Sequence, residues 1–182
     1  MTPLLLREDL LAGRTVAVGP GVSAVVTGVL SELGASVRAL DGAAGAAAGG
    51  AVGGAVGAIV HDAGPEFAEG GGAEALAAAL EQTWDAVAAV AAGSLIPEGA
   101  GGKVVLIAPR AGAGRHAEAA RAGLENLART LSIEWARYGI TATAIAPGAT
   151  TREEDVALLV AYLLSGAGDY FSGCRFELGA VR

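Results

Sequence analysis

Few residues in this sequence could do acid–base chemistry, and the first of them are His61 and Asp62. They follow a short apolar run, and an imidazole beside a carboxylate can act as a general base. Adjacent residues on a strand point to opposite faces, however, so the two side chains would not act on the same substrate atom. The pair is therefore interpreted as polar structure at the end of a strand.

A second group surrounds His116, and its charges could bind an anion. Its other members are Arg110, Arg115 and Arg121. In a parallel α/β domain these residues would gather near the carboxyl edge of the sheet, where that architecture places its ligands. The alternative is a solvated loop in which one arginine pairs with Glu118 or Glu125.

Composition excludes several other kinds of site. The single cysteine, Cys174, rules out an internal disulfide and a multi-cysteine zinc site, and no metal site is predicted. The net charge is −7 and the basic residues form no run, which argues against nucleic acid as a partner. With 53% apolar and 17% charged residues, most of the chain is expected to be buried or packed against something.

Segment 42–60 carries no charge, and its length alone would suit a membrane span. It is nearly all glycine and alanine, and glycine is unfavourable inside a helix. We therefore predict a Gly/Ala-rich connector over 42–56 that runs into a strand, and no membrane span. The apolar patch at the N-terminus is interrupted by charges and has no basic leader pattern, so a cytoplasmic protein is expected.

Short apolar runs alternate with longer segments of helical periodicity. Strands are predicted at 15–22, 36–41, 57–64, 103–109, 140–148 and 174–179. Helices are predicted over 73–93 and 117–138, with another after the first strand and one near 151–164 that begins with a Thr151/Glu154 capping box. This alternation implies an α/β fold in a single domain over 1–182, Rossmann-like, with a doubly wound parallel sheet of about six strands.

The segment RAGLENLARTLSIEWARYGITATAIAPGAT, 121–150, resembles the catalytic helix, following strand and Pro-Gly turn of the short-chain dehydrogenases/reductases. LGASVRALD is similar to that family's second strand, AIVHDAG to its Asn-Asn-Ala-Gly segment, and GDYFSGCRFELG to its last strand. The resemblance spans nearly the whole chain. It implies hydride transfer between NAD(P) and a carbonyl or alcohol, with a catalytic tyrosine, a lysine that holds the ribose, and a supporting serine and asparagine.

Carried over position by position, the resemblance implies that the proton-transfer groups are lost. The tyrosine position is occupied by Ala117, which has no ionisable atom. The lysine position is occupied by Arg121, which keeps the charge but cannot exchange a proton near neutral pH. No catalytic residue is therefore assigned at these positions.

The two supporting positions of the resembled family are also changed. The serine position falls on Pro109, or on Ala108 if the register shifts by one residue. The asparagine position falls on Trp84 or Ala91, depending on how the shortened helix is placed. General acid–base catalysis needs a titratable group within hydrogen-bond reach of the substrate, and none is found at the expected places.

The nucleotide-binding turn of the resembled family is eroded as well. Its three glycine positions fall on Ala17, Gly21 and Ser23, so only Gly21 remains. Asp41 stands where an acid would hold the adenosine ribose, and the alternative is a solvated carboxylate at the end of a strand. Vestigial cofactor contacts are assigned to Gly21 and Asp41; the expectation is that no cofactor binds, with NAD(P) as the minor alternative.

Two ligand-enclosing pieces of the resembled fold have no room in this sequence. The interval from Asp41 to His61 is too short for a helix followed by the family's third strand. After the Pro-Gly turn the chain passes directly into a helix, without the family's substrate lid. We therefore expect both the third strand and the lid to be missing.

These features lead to the hypothesis of a catalytically silent homologue that serves as a structural, non-catalytic subunit of an oligomeric dehydrogenase, beside an active paralogue. Contacts between identical or different chains are expected through helices 73–93 and 117–138, which pair across a two-fold axis in the resembled family. Small side chains there would allow close approach: Ala77, Ala78, Ala88, Ala92, Ala120 and Gly123. Two alternatives stay open, namely an active NAD(P)-dependent oxidoreductase with relocated catalytic residues and a homo-oligomeric module that binds a small ligand.

Overall fold

The computed structural model describes residues 7–40, 56–68, 72–99 and 101–179. The strands are β1 (Thr15–Val18), β2 (Ser36–Ala39), β3 (Ala58–Asp62), β4 (Gly102–Ile107), β5 (Ile140–Pro147) and β6 (Cys174–Leu178). The helices are α1 (Ala24–Glu32), α2 (Gly64–Ala68), α3 (Ala73–Val90), α4 (Ile96–Glu98), α5 (Ala117–Glu134) and α6 (Glu153–Leu164). A π-helical turn covers Ala91–Leu95, and 3₁₀ turns cover Ala136–Tyr138 and Gly166–Tyr170.

The six strands form one parallel sheet in the order β2-β1-β3-β4-β5-β6. From β1 the chain first moves outward to β2 and then returns across β1 to β3 and the remaining strands. The carboxyl ends of β1 and β3 therefore flank a topological switch point, where open α/β sheets bind their ligands. The predicted Rossmann-like, doubly wound parallel sheet is confirmed.

Helices cover both faces of the sheet, which is why the four central strands, β1, β3, β4 and β5, are mostly apolar and buried. On β1, Val16 and Val18 pack with residues of α1 and α6, whereas Ala17 packs with residues of α3 and α5. The same division continues on β3, where Val60 packs on the side of α1 and α6 and Ile59 packs on the side of α3 and α5. The two-residue alternation of the strands thus separates two cores, one on each side of the sheet.

The ends of three helices differ from the sequence prediction. The helix predicted over 117–138 leaves the α conformation after Glu134 and finishes in the 3₁₀ turn, and the helix predicted over 73–93 ends at Val90 in the π turn. The capping box at the start of α6 is wrong: Arg152 is the N-cap and makes no side-chain cap bond. The Thr151 hydroxyl instead donates to the Leu178 carbonyl at 2.6 Å, which ties the start of α6 to the end of β6.

Residues 148–152 alone join β5 to α6, so this connection contains no substrate lid. Asp41 and all of the predicted 42–56 connector except Val56 lie outside the described residues. Within the described ranges, no helix is long and apolar enough to cross a membrane. The same ranges contain no group of three or more His, Cys, Asp or Glu side chains arranged to hold a metal ion.

Candidate functional site

A cleft of about 360 Å³ opens at the carboxyl ends of the strands, beside the switch point. This volume lies at the lower end of the range for small-molecule sites. The turn after β1, the ends of β3 and β4 and the first residues of α6 form its walls. The polar and glycine residues that line it are Gly21, Ser23, Asp62, Gly64, Arg110 and Glu153.

Ser23 begins α1 and caps it. Its Oγ accepts a hydrogen bond from the Val26 amide at 3.3 Å, and its hydroxyl donates to Oε2 of Glu153 at 3.1 Å. α1 has no acidic residue in its own first turn, so the carboxylate of Glu153, which belongs to α6, provides negative charge at the positive end of α1. Ser23, which stands at a glycine position of the resembled turn, is thus accommodated as a helix cap.

Arg110 and Glu153 form an ion pair that we call the Arg110–Glu153 clasp. Nη2 of Arg110 donates to Oε1 of Glu153, and Nη1 donates to the backbone carbonyl of Thr151. The two side chains are 33% and 40% exposed, so the clasp lies at the surface of the cleft. It joins the segment after β4 to the N-terminus of α6, and nothing in the sequence pattern indicated it.

Gly21 lines the cleft, and the packing of the turn on β3 explains why a glycine stands there; its cofactor contact stays a prediction. A Cβ at position 21 would stand 2.4 Å from the Asp62 carbonyl oxygen and 3.3 Å from the ring of Pro65. The glycine is therefore required by the approach of two backbone segments.

Ala117, at the tyrosine position of the resembled family, is buried in the core against the sheet. Pro109 and Ala108, the two candidates for the serine position, follow β4, and Ala108 is also buried. Trp84 and Ala91, the candidates for the asparagine position, lie on α3 and in the π turn that follows it. Neither these side chains nor Ala117 carries a group that titrates near neutral pH.

Arg121, at the lysine position, is buried with 3% of its surface exposed, and both terminal nitrogens of its guanidinium are hydrogen-bonded. Nη1 donates to the carbonyls of Pro109 and Pro147 at 2.9 and 2.7 Å. Nη2 donates to the Ala146 carbonyl at 3.5 Å and to Oε2 of Glu177 at 2.7 Å. These four acceptors use the four hydrogens of Nη1 and Nη2, so Arg121 ties β4, β5 and β6 together and has no Nη hydrogen left for a ribose.

The remaining cations around His116 do not form the anion-binding cluster that the sequence suggested. Arg110 pairs with Glu153, and the Nε of Arg121 lies 3.4 Å from Oε1 of Glu118. Arg115 is exposed. The alternative interpretation was a solvated loop with one arginine paired to Glu118 or Glu125. The pairing with Glu118 is confirmed for Arg121, but this arginine is buried in α5 and does not lie in a solvated loop.

His61 and Asp62 do not form a catalytic pair. His61 is 2% exposed, and neither of its ring nitrogens has a hydrogen-bond partner in the part of the chain that the structure describes. Gly19 packs on the ring, since a Cβ at position 19 would stand 2.6 Å from Nδ1. Burial lowers the pKa of His61 to about 4, so the imidazole is neutral at neutral pH. Asp62 instead accepts a hydrogen bond from the Gly64 amide at 2.8 Å, as expected for polar structure at a strand end.

No protein-family model and no curated protein matches the chain. Solved structures do match it over nearly their whole length. A citronellol catabolism dehydrogenase from Pseudomonas aeruginosa has a TM-score of 0.74 and 23% identity, with 96% of each chain covered. A short-chain dehydrogenase from Mycobacterium smegmatis has a TM-score of 0.72 and 20% identity, covering 96% of this chain and 95% of that one. A protein described as an NAD(P)-dependent gluconate 5-dehydrogenase, from Beutenbergia cavernae, has a TM-score of 0.74 and 22% identity, covering 94% and 97%.

These matches show that the chain has the fold of the short-chain dehydrogenases/reductases. They also correct the expectation that no cofactor binds, which is wrong: the similar structures are dehydrogenases, and the one from Beutenbergia cavernae was solved with NADP at low occupancy. The residues of the cleft fit a nucleotide in part. Arg110 and the N-terminus of α1 are suited to a phosphate, but Arg110 and the N-cap hydroxyl of Ser23 are already bonded to the carboxylate of Glu153.

Proposed function

We propose that this chain is a catalytically silent, nucleotide-binding relative of the short-chain dehydrogenases/reductases that serves as a non-catalytic subunit of a hetero-oligomeric dehydrogenase. The observation that carries the proposal is the engagement of Arg121. In the resembled family a lysine at this position lowers the pKa of the catalytic tyrosine and holds the ribose. Here the cation is buried and bonded to three backbone carbonyls and Glu177, beside Ala117. A structural role has replaced the catalytic one.

Nucleotide binding is proposed for the cleft at the switch point. It is supported by the likeness to dehydrogenase structures, one of them solved with NADP, and by the cationic and helix N-terminal groups of the cleft. Because Arg121 has no Nη hydrogen left for a ribose, phosphate contacts near Ser23 and Arg110 would have to provide most of the affinity.

Association through α3 and α5 is supported by exposed apolar surface. Trp84 of α3 is 47% exposed and stacks on Trp135 at a ring separation of 6.4 Å. Gly123, expected to mark the approach of another chain, instead packs on Leu80 of this chain, since a Cβ there would lie 2.9 Å from Leu80 Cδ2. Ala120 is buried, so the contact surface is centred on the exposed tryptophan and not on the small residues alone.

The first test measures turnover and assembly together. The isolated chain, given NADH or NADPH and a panel of carbonyl compounds, is expected to change nicotinamide absorbance at least about a thousandfold more slowly than an active short-chain dehydrogenase, because the general acid is missing. Mixing it with active paralogues from the same genome is expected to shift the mass of the active enzyme in light scattering and to change its rate. If the chain forms only homomers and mixing alters neither mass nor rate, the subunit role is wrong.

Replacing Trp84 with lysine should weaken that association. The substitution places a charge in the apolar patch. We expect the dissociation constant of the mixed complex to rise at least about tenfold, as for other aromatic side chains that become buried in an interface. Gln82→Lys is the matched control, since it adds the same charge at an exposed position of the same helix. Equal weakening by both substitutions would point to a general charge effect and would remove α3 as the contact surface.

A second candidate is an active oxidoreductase with relocated catalytic residues, and it is favoured by the dehydrogenase activity named for the similar structures. The same absorbance measurement separates the two. Substrate-dependent oxidation of NADH or NADPH by the isolated chain, at rates typical of dehydrogenases, would select this candidate and exclude the silent subunit.

A further inference from the structure

The carboxylate of Glu153 holds the groups in the cleft that would bind a phosphate. One of its oxygens accepts from the Ser23 hydroxyl at the N-terminus of α1, and the other accepts from Arg110. It also lies in the first turn of α6, where the helix favours negative charge. A single side chain is therefore bonded to both the N-cap hydroxyl of α1 and the guanidinium at the cleft.

We propose that Glu153 is an internal competitor of the nucleotide, so that a nucleotide phosphate binds by exchanging with the Glu153 carboxylate on Ser23 and Arg110. The inference rests on the proposed nucleotide binding and adds to it the residue that controls affinity. A phosphate and a carboxylate are both anions that accept from a hydroxyl and from a guanidinium. They cannot share one guanidinium face and one hydroxyl hydrogen at the same time.

The exchange requires only a movement of the Glu153 side chain. That side chain is 40% exposed, so its carboxylate can rotate into water and exchange its two protein partners for water at little cost. Nη1 of Arg110 is anchored by the carbonyls of Thr151 and Gly148, which keeps the guanidinium at the cleft after Glu153 has left. Arg121 cannot make such an exchange, because the four hydrogens of its Nη1 and Nη2 are all bonded within the protein and none can turn toward a ligand.

The alternative role for the clasp is purely structural, as a bond that fastens α6 to the segment after β4. Both roles predict that loss of Glu153 lowers stability. Only the competitor role predicts that the same substitution strengthens nucleotide binding. Affinity and stability measured on the same variants therefore separate the two roles.

The experiment titrates NADPH into the full chain and follows nicotinamide fluorescence, with calorimetry as the second readout. Glu153→Gln and Glu153→Ala are expected to lower the dissociation constant about tenfold, because a carboxylate beside a helix N-terminus and a guanidinium has effects of that size. Arg110→Gln is expected to raise it by a similar factor. Glu154→Gln, an exposed neighbour in the same helical turn, removes the same charge outside the cleft and should leave the constant within about twofold.

Each outcome decides the inference. Tighter binding by both Glu153 variants, with Glu154→Gln unchanged, supports it. Equal binding by the wild type and all Glu153 and Glu154 variants overturns it while the proposed nucleotide binding stands. If neither the wild type nor any Glu153 variant binds NADPH at millimolar concentration, the nucleotide binding and the inference both fail. Urea unfolding of each variant without ligand checks that the fold is intact.

Discussion

Replacing Arg121 with methionine is expected to destabilise the protein by about 2–4 kcal/mol, because bonds to a charged group contribute about 1.5–3 kcal/mol and an unsatisfied buried carbonyl costs about 1–3 kcal/mol. The substitution keeps the apolar stem and deletes the guanidinium. The Pro109 carbonyl would then lose the guanidinium donor, and an unsatisfied buried carbonyl is costly, whereas the Pro147 carbonyl would keep its bond from the Ala111 amide. The measurement is the free energy of unfolding from urea denaturation at neutral pH.

Arg129→Met is the matched control for that experiment. Arg129 lies on the same helix and pairs with Glu125, but its side chain is 64% exposed. An exposed ion pair contributes little, so we expect a loss of no more than about 1 kcal/mol. Arg121→Lys should fall between the two, because a single ammonium cannot reach the spread of acceptors that the forked guanidinium satisfies. Similar losses for Arg121→Met and Arg129→Met would contradict the structural role of Arg121 and weaken the argument that the lysine position has been reassigned.

The second large effect is a loss of stability in acid caused by His61. Its pKa is about 4 in the folded protein and 6.5 when the ring is free in water. Between these values the unfolded chain binds the proton and the folded chain does not, so protonation favours unfolding. Above pH 6.5 the ring is neutral in both states, so His61 does not lower the free energy of unfolding. As the pH falls from 6.5 toward 4, the unfolded chain takes up the proton and the free energy of unfolding declines. Two to three pKa units correspond to about 3 kcal/mol, measurable as the difference in unfolding free energy between pH 7 and pH 4.

His61→Leu should remove this pH dependence and leave stability at pH 7 unchanged or higher. Neither ring nitrogen is hydrogen-bonded within the described residues, so replacing the imidazole with an apolar side chain of similar size exposes no broken bond. His116→Leu removes the other histidine and should retain the decline that His61 causes. If wild type and His61→Leu lose the same stability between pH 7 and pH 4, the assignment to His61 is wrong.

Arg121 and His61 both place polar side chains in the packed interior of the fold. Arg121 keeps a positive charge at the place of the family's lysine, yet its hydrogen bonds are spent on the ends of three strands. His61 is a neutral, buried ring packed on Gly19. Neither side chain is placed to move a proton to or from a substrate in the cleft.

Much of the fold was predictable from the sequence because it depends on local patterns. Short apolar or alternating runs, separated by segments of helical periodicity, predicted all six strands and both long helices, and the order of the elements predicted a doubly wound parallel sheet. The residue types at the family positions were likewise plain in the sequence, since Ala117 and Pro109 have no titratable group in any conformation. Asp41 stays a prediction, because it lies outside the described residues.

What the sequence could not determine were contacts between residues far apart in the chain. Ser23 and Glu153 are separated by 130 positions, and no local pattern indicates that one carboxylate would join the N-termini of two helices. The capping box at Thr151 was wrong for the same reason, since a strand-end carbonyl of β6 took the hydroxyl first. Periodicity and side-chain chemistry are properties of short segments and can be read from the chain. The partner of a charged or hydroxyl group is decided only when the sheet brings distant segments within hydrogen-bond reach. The bonds of Glu153 to Ser23 and Arg110 in the cleft are of this kind.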